Sequence, residues 1–391
     1  MTASFAVRQR NAWSFIMVSD KHTKQNNTSR ILAVILTLLV VILAVIVFLY
    51  KDRFVPSSLS KDSEDLADMI SSNEPFTYET GSQQMFALMG SDLAVASSTG
   101  LQLLDKDGNT VSREVFSMIN PAVCGSDNTC AFYDVGGYSL RIYKDGEFKN
   151  MDRDSAITSV SVNSSGYYAV AGVDSGYKGS VKVYNSALEP VYEWYSGSGY
   201  IIDAAVSPDS SMLAVLCVES SGSIVHIFKM DNEDEYASAS VPDELAFKLS
   251  FEEGGNFCII SEESMHFFSS NGEELSNYDF GDDYLADYEL NENCWAVVLS
   301  KYVSGSDVTL LSFGGSGKHD GSSTLSSEPV ALASQGGKLL VLGSSDIALY
   351  SRDLHLQKQN HVVPGFVSAV LLPRDSVLLL SSHYGEKCEF R

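Results

Sequence analysis

Apolar and polar positions along the chain fall into a recurring four-residue pattern: apolar, polar, apolar, large apolar. Its copies are "LQLL" ending at Leu104, "LRIY" at Tyr143, "VKVY" at Tyr184, "VHIF" at Phe228, "MHFF" at Phe268, "VTLL" at Leu311, "IALY" at Tyr350 and a looser "KCEF" at Phe390. The intervals are 39, 41, 44, 40, 43, 39 and 40 residues. Each copy has the period-two alternation of a half-buried strand. A more continuously apolar strand precedes each one, such as "DLAVAS", "MLAVLCV" or "SVLLLSS", and a turn usually follows, as in "DKDGNT", "KDGEF" and "SSNGEE". Asp-Gly and Asn-Gly supply the positive φ that tight hairpins need. The repeating unit is therefore four strands joined by turns in about 40 residues.

Four antiparallel strands of that length make one blade of a β-propeller, so the fold class is all-β, with eight blades. The copies at Leu311 and Phe390 are the least regular, which leaves seven blades as the alternative. "SPDSSMLAV", residues 207 to 215, resembles the turn between a blade's first two strands in WD40-type and quinoprotein-type propellers. "VNSSGYYAV" at 162–170 and "LPRDSVLLL" at 372–380 resemble it more weakly. The resemblance spans residues 75–391 at fold level only. No Gly-His or Trp-Asp signature recurs, and tryptophan stands only at 13, 194 and 295. The last copy leaves its blade one strand short, and "PFTYET", Pro75–Thr80, is the expected outer strand.

One segment breaks the β pattern. Ile31–Tyr50, "ILAVILTLLVVILAVIVFLY", is 20 residues with Thr37 as its only conspicuously polar member. As a helix it would be about 30 Å long, the thickness of a bilayer's hydrocarbon core. A cleaved signal peptide has a shorter apolar region and a small-residue cleavage site, whereas "YKDRFVPSS" follows here. The expectation is an uncleaved transmembrane anchor. Arg8, Arg10, Lys21, Lys24 and Arg30 precede it against Asp20 alone, which places residues 1–30, a short basic tail, in the cytoplasm. Residues 51–74 read as a polar stalk and 75–391 as an extracytoplasmic propeller. Met17 offers an alternative start. The whole arrangement resembles membrane-tethered propellers of Gram-positive bacteria.

Charge narrows the partners. The chain has 26 basic and 50 acidic residues, a net charge of −24, and most of the basic excess lies before the anchor. Nucleic acid is excluded as a partner, because its phosphates would be repelled. Six cysteines lie beyond the anchor, and Cys124 and Cys130, flanking a hairpin turn, are the candidate disulfide. No Cys/His metal spacing is present, so neither a metal nor a cofactor is expected. "DKDGN" at 105–109 starts like a calcium loop, but Phe116 stands where the loop's last ligand belongs; it reads as a hairpin turn.

Two groups stand out as candidate sites. Aligning the inner strands puts Ser159, Asp203, Lys248 and Asp287 at corresponding places in successive blades, a polar cluster beside the central channel. Tyr192, Trp194, Tyr195 and Tyr200 surround a Ser/Gly loop and are the candidate binding aromatics. No nucleophile elbow, P-loop or dinucleotide fingerprint occurs in its proper setting. The expected function is a non-enzymatic scaffold that binds a protein or a component of the cell envelope. The alternatives are a quinone-cofactor or other propeller enzyme, implied by the quinoprotein resemblance, and an extracellular ligand sensor.

Overall fold

A computed structural model of the chain describes residues 71–390 apart from 73, 79, 80, 82 and 303–306. The basic tail, the apolar segment Ile31–Tyr50 and the stalk up to residue 70 lie outside the described residues. Within them the chain forms eight antiparallel sheets and no α-helix; no helix there is long and apolar enough to cross a membrane. Seven sheets are consecutive four-strand meanders, beginning at Met85, Pro121, Ile157, Tyr200, Lys248, Tyr284 and Ala331. The inner strands neighbour one another in sequence order, and that of the last sheet packs against that of the first. This is an eight-bladed propeller, and the seven-blade alternative is set aside.

The eighth blade supplies three strands of its own, Ser368–Leu371, Ser376–Leu380 and Tyr384–Glu389. Its outer position is filled from the other end of the chain: Phe76–Thr77 pairs with Gly385 and Tyr384, and Ser71–Ser72 pairs with Cys388 and Glu389. Pairing thus begins before Pro75, inside the segment read as stalk. Tyr78 is 4% exposed, and its hydroxyl reaches the carbonyl oxygens of Ser381 and Tyr384, the latter at 3.0 Å. Residues 71–77 and 384–389 thus meet in one sheet, which completes the eighth blade and closes the ring.

The recurring quartets fall on the third strands, except that Phe390 lies just past the last of them. In blade 6, Phe313 rather than Leu311 holds the register of Phe228. In "VHIF", Val225, Ile227 and Phe228 are buried while His226 is partly exposed. The second strands are buried on both faces, because each blade packs between two others, which explains their unbroken apolar runs. Outer strands alternate exposed and half-buried. The core is accordingly a ring of interblade clusters. Leu216, Val225 and Ile227 of blade 4 pack on Leu249, Phe251 and Phe257 of blade 5. Leu378 and Leu380 of blade 8 pack on Leu93, Val95 and Leu104 of blade 1, which seals the ring.

Turn chemistry holds the hairpins as the sequence implies. Asp105 Oδ1 accepts the backbone N–H groups of Asp107 and Asn109 at 2.9 and 2.8 Å. Gly108 and Gly146 take φ of 83° and 86° in turns between third and fourth strands, a region closed to most side chains.

Candidate functional site

A cavity of about 520 Å³ occupies the central channel, bordered by the inner strands of all eight blades and by turns between first and second strands. The aligned polar set does share one register level of the inner strands, though only Lys248 of the four borders this cavity. Ser159, Asp203, Lys248 and Asp287 pair across their sheets with Ala171, Leu216, Ile260 and Val298, equivalent positions of successive second strands. In three of these blades a register shift immediately precedes the polar residue, and such irregularities re-aim side chains.

The expected cluster nevertheless reduces to a pair. Lys248 Nζ donates to Asp203 Oδ2 at 2.7 Å, bridging blades 5 and 4. Asp203 is 2% exposed and also accepts the N–H groups of Leu249 (3.1 Å) and Ala204 (3.0 Å). Burial opposes the charge on Lys248, but the adjacent Asp203 carboxylate outweighs it and raises the lysine's pKa. Asp287 does not join them. Its Oδ1 accepts the N–H of Tyr288 at 2.8 Å, no basic side chain lies within ion-pairing distance among the described residues, and burial raises its pKa. The Ser159 hydroxyl is buried without a hydrogen-bond partner among the described residues.

One channel residue escaped the sequence reading. Glu289 stands at a level where Cys124, Ser161, Ala205, Ser250 and Ala333 hold the same register. A carboxyl here is an exception among small side chains. Its Oε1 accepts from Ser334 Oγ at 2.7 Å and Asn291 Nδ2 at 2.8 Å. Burial raises its pKa to about 7 against those two hydrogen bonds. The available signal was an acidic residue at an inner-strand level that the neighbouring blades fill with small side chains.

The expected disulfide is not formed; all six cysteines are free thiols. Cys124 pairs in register with Ala131, and Cys130 with Gly125. The two cysteines are therefore one position out of phase and point to opposite faces of the sheet, where no bridge can close. Cys130 packs toward blade 1 and Cys124 toward blade 3. Burial pushes the Cys124 thiol up to about 12.

The four aromatics separate into two pairs. Tyr192 and Trp194 pack on Phe228 of the next blade, with ring centroids 5.8 and 5.1 Å apart, and serve the core. Tyr195 and Tyr200 are exposed. Tyr195 lies 4.7 Å from the ring of Tyr177, and Lys178 Nζ sits 4.8 Å above Tyr200. His226 and His266 hold equivalent strand positions, and each meets a glutamate of its own outer strand, Glu235 at 3.1 Å and Glu274 at 2.8 Å.

Those exposed tyrosines belong to a larger asymmetry. In a four-strand meander, loops between second and third strands emerge on the same face as the connections between blades. Hairpin turns occupy the opposite face. Among the described residues, all but five of the exposed large apolar side chains lie at the first face. They include Ile119 (78% exposed), Tyr138, Val173, Tyr177, Leu245 and Val363. The five others, Val111, Val191, Tyr236, Leu275 and Leu356, begin outer strands. None lies in a hairpin turn. Scattered exposed apolar residues are ordinary, whereas here they collect on one face of the ring.

Among the described residues no group of three or more His, Cys, Asp or Glu side chains is arranged to hold a metal. The profile of a family of unknown function, DUF5711, matches residues 68–362. No curated protein matches the chain. Among solved structures, it resembles the C-terminal WD40 domain of Sif2 with a TM-score of 0.57 and 11% identity, over 83% of this chain and 99% of that one. At that identity the likeness concerns the fold alone.

Proposed function

Since the chain belongs to the DUF5711 family of unknown function, membership brings no activity with it, and we propose from the geometry a docking scaffold without enzymatic action. Its loop face seats a protein partner. The observation that carries this reading is the collection of exposed Val, Ile, Leu and Tyr side chains on that face and their absence from the hairpin turns opposite. Eight mutually packed blades hold these loops on a rigid frame, so an interface can form with little ordering cost. With a net charge of −24, the partner that fits carries an apolar patch rimmed by basic residues.

The apolar segment Ile31–Tyr50 and the basic residues before it support a single-pass anchor with the propeller outside the cytoplasm. That is the arrangement of the membrane-tethered Gram-positive propellers that the sequence resembles. Site-specific photocrosslinking in native membranes tests the docking reading. A crosslinker at Tyr177 should capture one discrete protein, and Val173→Asp should abolish the adduct. A crosslinker at Asn271, in a hairpin turn, should capture none. Equal labelling from both faces would refute it.

A further inference from the structure

The central cavity of about 520 Å³ is of the size that small ligands occupy. Its lining includes the turns at 126–127, 163–164, 292–293 and 335–336, so it lies toward the hairpin face and away from the loop face. Glu292 of blade 6 accepts the Ser164 N–H of blade 3 at 2.9 Å, a contact between blades that are not neighbours. That contact spans the hairpin end of the channel.

The wall offers two groups of opposite charge. Lys248 and Asp203 form an ion pair, but only the lysine meets the channel: its side chain is 34% exposed against 3% for the aspartate. One ammonium N–H is engaged by Asp203, and the other two meet no acceptor among the described residues. Glu289 stands in the next blade, one level further along the channel, a step of about 7 Å by strand rise. Both side-chain donors that reach it, Ser334 Oγ and Asn291 Nδ2, fall on Oε1, so Oε2 is left without a side-chain donor. The positions flanking Glu289 at its level are small, Ser250 in blade 5 and Ala333 in blade 7, and leave the space beside it open. The carboxamide of Gln335, also in the wall, makes no hydrogen bond among the described residues. Unfilled donors and an unfilled carboxyl oxygen on adjacent strands call for one complement that carries both charges.

We propose that the central cavity binds a small zwitterion, an amino acid or short peptide, with its carboxylate on Lys248 and its ammonium on Glu289. The shared chemistry is a free ammonium and a free carboxylate on one molecule. The inference does not depend on a protein docking at the loop face, which lies at the other end of the channel.

Ligand-observed NMR titration of the full-length chain at pH 7.5, above the Glu289 pKa of about 7, tests it with four probes. They are L-leucine, alanyl-leucine, 4-methylpentanoate (leucine without its ammonium) and isopentylamine (leucine without its carboxylate). The two zwitterions should bind with dissociation constants on the order of millimolar. Each single-charge analogue should bind about tenfold more weakly than leucine, the scale of one charged hydrogen bond. Glu289→Gln should make leucine and 4-methylpentanoate bind alike, whereas unfolding would abolish both. Lys248→Gln combined with Asp203→Asn leaves no buried charge unpaired and should make leucine and isopentylamine bind alike. Gln335→Ala removes no internal hydrogen bond and should weaken leucine several-fold. Tighter binding of leucine than of alanyl-leucine identifies an amino-acid site, and the reverse a peptide site. Equal binding of leucine and its single-charge analogues to the native chain, no binding of either zwitterion, or preferences untouched by the channel variants would overturn the proposal.

Discussion

Replacing Glu289 by glutamine should stabilise the propeller at alkaline pH and leave it unchanged near pH 5. The substitution keeps an oxygen to accept from Ser334 Oγ and Asn291 Nδ2, now at 2.7 and 2.8 Å, so it isolates the charge. The carboxyl's pKa rises from 4.5 in the unfolded chain to about 7 in the fold. The folded state therefore holds a proton that the unfolded state releases between those values. Stability falls as pH rises through that window and is level above it. At about 1.4 kcal/mol per unit, the full shift corresponds to roughly 3 kcal/mol. The carboxyl borders the water-accessible channel, which lowers the expected difference to roughly 1–3 kcal/mol. Urea unfolding of both proteins, followed by tryptophan fluorescence from about pH 5 to 9, measures the difference and cancels every other titrating group. A difference independent of pH, or a glutamine variant less stable at pH 9, would refute the reasoning.

Three further outcomes follow from the same geometry. Lys248→Met strands the buried Asp203 carboxylate and should cost roughly 2–4 kcal/mol in urea unfolding, part of which Asp203→Asn added to it should restore. Tyr78→Ala removes a buried ring that closes the eighth blade; it should cost about 3–5 kcal/mol, and Tyr78→Phe about 1–2 for the hydroxyl alone, read from the unfolding midpoint. A thiol reagent should label the cysteines of the native protein slowly, and of the unfolded protein fully without prior reduction; a pair that reacts only after reduction would contradict the free thiols.

Much of the fold was legible because one physical pattern repeats. Third strands pack apolar residues toward both neighbouring blades and usually leave one position to water or a polar partner, so the pattern of Val225, His226, Ile227 and Phe228 recurs some 40 residues apart. The closing strand could be inferred because an incomplete blade leaves an edge that something must cover. Register was the limit. Cys124 and Cys130 are close in sequence, yet a single position of phase sets them on opposite faces, and that phase belongs to the turn. Asp287 aligned correctly with Asp203, but alignment fixes a level in the wall and not the neighbour a side chain finds. The apolar face was invisible for another reason: Ile119, Tyr138, Val173 and Leu245 lie in separate loops, which only the meander topology sets on one face.

The proposed docking face admits a direct test. Amide hydrogen exchange of the full-length chain can be compared in native membranes and after purification in detergent. Peptides spanning residues 115–120, 135–139, 173–178 and 362–367 should exchange more slowly in the membranes, while those covering the hairpin turns at 105–109 and 269–273 should not change. Protection of the hairpin turns instead, or no difference at either face, would contradict the assignment of the loop face as the surface that meets the partner.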